Sequence, residues 1–490
     1  MIISDMQRLK MLSPAEMELI HAGACRLLAQ VGVKVAHEGI AEKLSSRGAR
    51  FTGGRIFIPP EMVEYALAET AKTISFAAPD PAYAFTVKTT ENLVKFGTGG
   101  QALYIVGPAA GGWQRRPAGR EDLKQILALC NRLENVDFIT RPVEADVPED
   151  RMDVEKARIF KEYCSKPMNL ANLVKVERLD EVLEIVGNPS YVSFIISLVS
   201  SPLVMDSAAG EKFMALVEKD LPVAISCCPQ GGSTAPFSEV GELLQLHAEL
   251  LFGFVLASII RPGARVLYRG IPITANLYTD GSPRWCQPES IRRVALAAQL
   301  CRFYNLPCCG TAGVSDEGEP SAQGISEKVL SWTYGAASGA QYINSALGML
   351  DQVMSVSYEQ YVMDDIALGI VKEKFKEHQS AKASQIAVEA AVEALNFFGV
   401  PADAKIEEEL AARIRHIETP LEPYSEEYIE EQLAIIEKAV NRAGGSTVFM
   451  KTARRGLREG YLYRGKRIDA PLDLSDVTAR LESNDSAGRS

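Results

Sequence analysis

The sequence predicts an α/β fold, a (β/α)8 or TIM barrel with an N-terminal α/β layer and a C-terminal helical extension. Two observations lead to this prediction. Short apolar runs alternate with helical patterns eight times along the chain. The unit from 306 to 347 shows the order most clearly, with an apolar run, a polar loop, a helical stripe and a second apolar run. Such a βαβ unit is right-handed and builds parallel sheets, and eight of them close into a barrel.

Each barrel unit rests on its own short apolar strand and on the helical periodicity that follows it. The predicted strands are 93–97, 136–140, 168–171, 192–199, 222–226, 265–268, 307–310 and 342–345. The predicted helices are 121–133, 154–163, 179–186, 210–219, 240–260, 289–304, 326–337 and 358–371. We therefore expect a mostly helical N-terminal layer over 1–92, the catalytic barrel over 93–375, and a helical extension with a short disordered tail over 376–490.

Helical stripes outside the barrel begin near capping residues or prolines, and the two in the C-terminal extension end at glycines. They predict helices at 14–31 and 60–71 in the N-terminal layer, and at 384–398 and 425–443 in the extension. The glycine-rich stretch after the first barrel strand predicts an inserted hairpin over 102–114, standing above the barrel.

Composition and charge exclude several classes of protein. The net charge is −11 and the pI is about 5.3, which argues against nucleic acid or an anionic membrane as the main partner. The N-terminal residues carry charges where a signal peptide needs an apolar core, and the longest apolar run, 250–260, is too short to span a membrane. Nine irregularly spaced cysteines suit buried thiols in a reducing compartment, so a cytoplasmic protein is expected.

The chemistry of a TIM barrel lies in the loops at the C-terminal ends of its strands, here called the mouth. Asp316 and Glu317 follow predicted strand seven and are candidates for an electrostatic role. Gly231 and Gly232 lie in a glycine-rich loop after predicted strand five, where backbone N–H groups are candidates to hold a carboxylate or phosphate. A simple tight turn explains the same glycines equally well. Their spacing matches neither a Walker nor a Rossmann motif, which disfavours nucleotide binding.

Metal and covalent catalysis lack support in the sequence. None of the five histidines pairs with another at helical spacing, and none lies near a predicted strand end. No serine or cysteine stands in a nucleophile-elbow motif, and no predicted strand ends in a lysine. We therefore expect no metal and no covalent catalysis by a serine, cysteine or lysine.

Aromatic residues are frequent in and next to the predicted mouth loops. They are Tyr104, Trp113, Phe237, Tyr268, Tyr278, Trp285, Tyr358 and Tyr361. Aromatic faces attract a quaternary ammonium, which has no N–H to donate, and each contributes about 0.5–2 kcal/mol. For any one of these rings, packing in the core is the alternative explanation. As a set, they predict a site for a methylated cation.

Three blocks of sequence resemble a known family. They are FGTGGQALYIVGPAAGGWQRRPAGREDL, QGGSTAPFS with HAELLFGFVLASIIRPGARVLY, and GMLDQVMSVSYEQYVMDDIALGIV. With these blocks the chain, over about 1–470, resembles the trimethylamine methyltransferase (MttB-like) superfamily. The resemblance implies a barrel enzyme that moves a methyl group from a methylated amine to the cobalt of a separate corrinoid protein. It implies no tightly bound cofactor on this chain, and a corrinoid-binding protein as its partner.

The founding trimethylamine enzymes of that family contain pyrrolysine, whereas all 490 residues here are standard. The chain thus resembles the non-pyrrolysine branch, which includes glycine betaine methyltransferases. A quaternary amine leaves as a neutral tertiary amine and needs no acid or base, in agreement with the missing catalytic groups. The predicted substrate-binding residues are Gln101, Tyr104, Gly231, Gly232, Phe237, Tyr268, Arg269, Asn276 and Tyr358. For Arg269, a salt bridge along the barrel rim is the alternative explanation.

Other functions stay open at this stage. The same barrel suits a protein that binds quaternary amines without transferring methyl, or a methyltransferase for proline betaine, carnitine or a methylamine. A barrel lyase or aldolase is disfavoured because the expected lysine and histidine are missing. The added helices favour a homo-oligomer.

Overall fold

The computed structural model describes residues 1–100, 102–143, 146–276, 281–419, 423–441 and 449. Its strands are β1 (Val33–Val35), β2 (Arg50–Thr52), β3 (Arg55–Phe57), β4 (Thr73–Phe76), β5 (Phe85–Lys88), β6 (Lys95–Thr98), β7 (Tyr104–Ala109), β8 (Gly112–Pro117), β9 (Ile139–Thr140), β10 (Met168–Asn169), β11 (Val192–Ser197), β12 (Val204–Met205), β13 (Val223–Cys227), β14 (Gln230–Gly231), β15 (Val266–Gly270), β16 (Ile273–Ala275), β17 (Pro283–Arg284), β18 (Cys309–Thr311), β19 (Tyr342–Leu347), β20 (Met349–Leu350) and β21 (Ser355–Val356).

The α-helices of the described residues surround and extend the barrel. They are α1 (Pro14–Arg26), α2 (Glu38–Ser45), α3 (Pro60–Glu69), α4 (Arg120–Arg132), α5 (Met152–Tyr163), α6 (Leu179–Val186), α7 (Ser207–Glu218), α8 (Glu239–Ile260), α9 (Pro288–Phe303), α10 (Ala322–Ala337), α11 (Tyr358–Glu377), α12 (Ala383–Phe397), α13 (Ala404–Glu418) and α14 (Glu426–Val440). Short 3₁₀ turns and one π-helical turn, Leu27–Val31, connect some of these elements.

Eight parallel strands form the closed barrel that the alternation predicts. Strands β9, β10, β11, β13 and β15 pair in that order, and β18, β19 and β6 pair in a second group. Two parallel bridges join the groups, from Gly97 to Phe138 and from Tyr268 to Cys308. All eight predicted strands coincide with these observed strands within a few residues, and the predicted fold class is confirmed.

The N-terminal layer contributes a hairpin, β4 and β5, that covers the bottom of the barrel. Its residues Ile74, Phe76, Phe85 and Val87 are buried in one apolar cluster with side chains from the first residues of the barrel strands. The layer also contains β1, β2 and β3, so it holds more strand than the mostly helical layer that the sequence predicts. Alternating apolar residues in runs of three or four are too short to be distinguished from loop by periodicity.

Helix α8 passes through the core between the barrel and the outer helices. It is long and apolar enough to cross a membrane, but 89% of its most apolar stretch is buried inside the fold. Helices α1, α3 and α14 pack on it from outside, while α12 packs on α10 and α11. Barrel strands with apolar residues on both faces need such a helix layer, which accounts for the uniform apolarity of α8.

The predicted hairpin after the first barrel strand is present as β7 and β8. It ends at Pro117, three residues later than predicted. Strand β21, from the loop after β19, extends it by pairing with β7. This small sheet stands at the mouth, because β7 follows the C-terminal end of β6 and β21 follows that of β19. Helices α2 and α13 are additions that the sequence reading missed.

Candidate active site

The lower half of the barrel lumen is filled by apolar side chains and is closed. From the barrel strands and their first residues, the buried cluster contains Phe138, Ala224, Leu267, Cys309 and Tyr342, with Ile195 packed against it. The ring of Tyr342 stacks on that of Phe138, with 3.7 Å between centroids, and on that of Phe76 from the hairpin, at 5.0 Å. This column of rings forms a solid floor, so a ligand has access only from the mouth.

The upper half of the lumen is polar. Side chains on one face of a strand recur every second residue, so the residue two positions after each floor residue also faces the lumen. These residues are Thr140, Ser197, Ser226, Arg269, Thr311 and Asn344. Branched apolar residues usually fill this part of a TIM barrel. Their replacement by polar groups on six strands marks the upper lumen as the candidate active site.

Arg269 lies at the centre of this polar layer, with only 8% of its surface exposed. Its Nη1 donates to Ser226 Oγ at 2.6 Å, and its Nη2 donates to Asn344 Oδ1 at 3.4 Å. Its Nε is buried and has no hydrogen-bond partner in the structure. Asn344 in turn donates from Nδ2 to Thr140 Oγ1 at 2.6 Å. The guanidinium is thus oriented by neutral groups and retains an unused donor.

No carboxylate among the described residues lies within ion-pair distance of Arg269. Two other deeply buried arginines are different, since Arg292 pairs with Glu239 and Arg293 pairs with Glu242. A buried charge without a counterion is unfavourable, because the lumen solvates it less well than water does. An anionic ligand in the upper lumen would supply the missing charge.

The upper lumen is open on the side of strands β11 and β13. Ser197, the last residue of β11, is exposed, and so is Cys228, the first residue after β13. Ile195, two residues below Ser197, is half-buried. A ligand that contacts Arg269 would therefore extend past these residues toward the mouth.

Comparison with known proteins shows what kind of barrel this is. The model of the trimethylamine methyltransferase (MTTB) family matches residues 1–401. The chain belongs to this family. The match ends within the C-terminal helices, short of the 470 residues that the sequence blocks suggested. Members of the trimethylamine methyltransferase family are named for methyl transfer from methylated amines, which is the reaction class the sequence resemblance implies.

Individual proteins similar to this chain are also methyltransferases that are named for methylated amines. The chain is 24% identical over 373 residues to a glycine betaine methyltransferase of Desulfitobacterium hafniense, covering 74% of this chain and 76% of that one. It is 26% identical over 387 residues to a proline betaine:corrinoid methyltransferase of Eubacterium limosum, covering 73% and 76%. The crystal structure of the monomethylamine methyltransferase MtmB of Methanosarcina barkeri superposes with a TM-score of 0.55, at 13% identity, over 90% and 89% of the two chains. This last likeness concerns the fold.

One predicted substrate contact of this methyltransferase-family barrel is wrong. Tyr268 precedes Arg269 in β15, and neighbouring residues of a strand face opposite sides. Its ring points outward into the helix layer, where its hydroxyl lies 3.3 Å from His247 Nδ1 and its ring lies 6.3 Å from that of Phe254. Burial raises the pKa of the Tyr268 phenol well above its usual range. Tyr268 therefore supports the barrel wall and does not reach a ligand in the lumen.

The glycine loop is a tight turn and not an anion-binding nest. Gly231 donates its N–H to Glu242 Oε1 at 3.0 Å, and Gly232 donates to the carbonyl of Ala235 at 2.9 Å. The carbonyl of Gln230 accepts from the next amides of the turn. Since these donors are used within the loop, the prediction that Gly231 and Gly232 hold a substrate carboxylate is wrong. The tight-turn alternative explains the glycines.

The other three aromatic residues among the predicted substrate contacts have partners of their own at the mouth. The Arg115 guanidinium lies over the Tyr104 ring at 4.3 Å, and the Tyr358 hydroxyl donates to Asp122 Oδ1 at 2.6 Å. The carbonyl of Phe237 accepts from Arg293 Nη2 at 2.7 Å. Burial, together with the hydrogen bond to Asp122, raises the pKa of the Tyr358 phenol. Whether any of these rings contacts a substrate stays a prediction.

Asp316 and Glu317 hold mouth loops together. Asp316 accepts from the backbone N–H of Trp285 at 3.0 Å and of Cys286 at 3.3 Å, and burial raises the pKa of its carboxyl. The carbonyl of Glu317 accepts from Asp351 N at 2.7 Å. Their proposed electrostatic role stays a prediction.

Two further predicted contacts complete the set. Asn276 donates its backbone N–H to Ser282 within the loop that joins β16 and β17, and its role toward a ligand stays a prediction. Gln101 lies outside the described residues. Among the residues that the structure does describe, no group of three or more His, Cys, Asp or Glu side chains is arranged to hold a metal ion.

The sequence pattern predicted Arg269 as a site residue but did not predict the other polar residues of the upper lumen. Ser226, Asn344, Thr140 and Thr311 carry no motif, and each is a common residue near a strand end. A period-two reading offers a signal, since each follows an apolar lumen residue by two positions. To use this signal, one must know which residues of each strand face the lumen. Strands such as β13 and β19 are mostly apolar on both faces, so their sequences do not show which face is inward.

Proposed function

We propose that this chain transfers a methyl group from a betaine-type quaternary amine, with glycine betaine as the first candidate, to the cobalt(I) of a corrinoid carried by a partner protein. The observation that carries the proposal is Arg269, a buried cation whose described partners are all neutral. A betaine has a carboxylate that can supply the missing charge. It also has a quaternary ammonium whose methyl groups are the material to be transferred.

The position of Arg269 gives the bound substrate a direction. The floor below it is closed by aromatic rings, and the open side lies beyond Ser197 and Cys228. A carboxylate paired with the guanidinium would occupy the deep end of the site. The ammonium end would then point toward the mouth, which is the side from which a second protein has access. Binding would place the N–CH₃ bond in line with the acceptor, and effective positioning of this kind accelerates a reaction strongly.

The chemical character of the upper lumen agrees with this reaction. Its serine, threonine and asparagine side chains do not ionise near neutral pH. Transfer of methyl from a quaternary ammonium breaks the C–N bond, and the bonding pair stays on nitrogen as a neutral tertiary amine. The electron pair for the new bond comes from cobalt(I), which is the nucleophile and a second substrate here. No proton moves, so the residues need only bind the carboxylate and exclude water.

A methyl-donor panel tests the proposal. The purified chain is incubated under reducing conditions with free cob(I)alamin and one donor: glycine betaine, proline betaine, carnitine, tetramethylammonium or trimethylamine. Methylcobalamin is followed by absorbance and the demethylated amine by mass spectrometry. Donors with a carboxylate should react, glycine betaine most readily. Equal rates with tetramethylammonium would show that Arg269 does not select a carboxylate. Betaine binding without any demethylation would favour a binding protein.

A further inference from the structure

A bulge interrupts strand β19 beside Arg269. Tyr342 and Ile343 pair with Lys95 and Phe96 of β6, but the next pairing joins Leu347 to Thr98, so β19 contains two extra residues. Ser345, within the bulge, has a φ of 63°, in the left-handed region that non-glycine residues rarely adopt. Such strain is found mainly at functional sites. Bulges in barrels often re-aim a side chain toward an active site.

The side chain at this bulge is Asn344. Its Oδ1 accepts from Arg269 Nη2 at 3.4 Å and from Ser345 Oγ at 2.9 Å, while its Nδ2 donates to Thr140 Oγ1 at 2.6 Å. The guanidinium can only donate, so it is the amide oxygen that faces Arg269, while the hydroxyls of Ser345 and Thr140 can donate to the oxygen and accept from the nitrogen. The amide oxygen is therefore held toward the guanidinium.

The choice of an amide at this position has an electrostatic consequence. An aspartate has almost the same shape as asparagine and would form an ion pair with Arg269, as Glu239 and Glu242 do with Arg292 and Arg293. The amide oxygen orients the guanidinium and leaves its charge uncompensated. The backbone at Ser345 is strained, and this strained bulge presents a neutral acceptor to Arg269. This arrangement indicates that the uncompensated charge of Arg269 is functional.

We propose that Asn344 is a specificity-determining residue that keeps the charge of Arg269 available and thereby selects methyl donors that carry a carboxylate. The inference rests on the proposed function for the identity of the substrate and extends it with a residue that selects among donors. Thr140 and Ser345 act as positioning residues, since they fix the orientation of the amide.

Two substitutions at position 344 separate this role from a structural one. Asn344→Asp keeps the shape and the contact but neutralises Arg269, whereas Asn344→Ala removes the contact and leaves the charge free. If the amide only fills space, the alanine variant should bind betaine worse than the aspartate variant. If the amide preserves the charge, the order is reversed. We expect Asn344→Asp to weaken glycine betaine binding by about 100-fold and Asn344→Ala by about 10-fold.

Isothermal titration calorimetry measures both variants without the partner protein. Glycine betaine and tetramethylammonium are titrated into each, and the cation without a carboxylate should bind Asn344→Asp as well as the wild type or better. Circular dichroism checks the fold. A larger loss of betaine affinity in Asn344→Ala than in Asn344→Asp overturns the inference. A wild-type protein that does not bind betaine also overturns it. Failure of the cob(I)alamin assay alone, with betaine bound in the expected order, would count against the proposed methyl transfer and leave the selection of carboxylates standing.

A second pair of variants keeps the inference testable if both changes at 344 prevent folding. Thr140→Val removes the acceptor for Asn344 Nδ2, so the amide is no longer fixed and its oxygen can turn away from Arg269. Thr140→Ser keeps the hydroxyl. We expect the valine variant to lose about 10-fold in betaine affinity and the serine variant to stay within about 2-fold of the wild type. Equal affinities of the two variants would overturn the inference.

Discussion

Replacing Arg269 with methionine is expected to weaken betaine binding and, at the same time, to stabilise the protein without ligand. Methionine has a similar length and fills most of the space of the arginine side chain. It removes the charge that the described residues leave without a counterion. A residue selected for binding often destabilises the empty protein, so the two effects should have opposite signs.

The magnitudes follow from the contacts. A carboxylate held by a guanidinium fork makes two charge-assisted hydrogen bonds of roughly 1.5–3 kcal/mol each, so the loss is about 3–6 kcal/mol, or about 10²- to 10⁴-fold in affinity. Removing the buried cation should gain about 1–3 kcal/mol of stability, reduced by about 1 kcal/mol for the Ser226 hydroxyl that loses its partner. With a melting entropy of about 2.1 cal/mol/K per residue, 1 kcal/mol corresponds to about 1 °C for this chain.

Calorimetry with glycine betaine and thermal melting without ligand measure the two effects. The matched control is Arg293→Met, the same substitution at a buried arginine that does have a counterion, Glu242. That variant leaves a carboxylate buried and unpaired, so it should lose about 3–5 kcal/mol of stability. If both methionine variants are destabilised alike, Arg269 is a structural residue. If Arg269→Met binds betaine normally, the carboxylate lies elsewhere and the reasoning is refuted.

Three further predictions address the floor, the helix layer and the corrected contact. Gly97→Ala should destabilise the barrel by about 1–3 kcal/mol, because the added methyl group meets the Phe138 ring, which is stacked and cannot move away; urea unfolding measures this. Burial lowers the pKa of His247 well below its usual value, so below about pH 6.5 the unfolded chain binds a proton that the native protein does not. Stability should fall with acidity in that range by up to about 1.4 kcal/mol per pH unit, and His247→Gln should remove that part of the slope. Tyr268→Phe should leave the KM for glycine betaine unchanged and reduce stability by about 1 kcal/mol, since it removes only the contact with His247.

Each of these predictions has a result that would contradict it. A Gly97→Ala protein as stable as the wild type would show that the Phe138 ring can shift. Identical stability–pH curves for the wild type and His247→Gln would show that His247 is protonated in the native protein. A raised KM in Tyr268→Phe, with Arg269 intact, would place the tyrosine in the site after all.

The barrel could be predicted from the sequence because its signal is local. Each strand is a short apolar run, each helix has its own periodicity and cap, and neither depends on knowledge of distant residues. The position of Arg269 at the end of strand six also follows from this local pattern. Strands β1, β2 and β3 and helix α13 were missed because short alternating runs and polar helices give weak local signals. The domain boundaries at 92 and 375 stay predictions.

The sequence by itself determined the eight strands, the closed α/β architecture and the position of Arg269 at the end of a strand. Only the tertiary structure decided that Arg269 faces the lumen while Tyr268 faces the helices, since a shift of one residue exchanges the two faces of a strand. It also brought together Arg269 with Asn344, 75 residues away, and Asn344 with Thr140, 204 residues away. Barrel closure makes these residues neighbours, and no local pattern of residues records which distant strands meet or in which register.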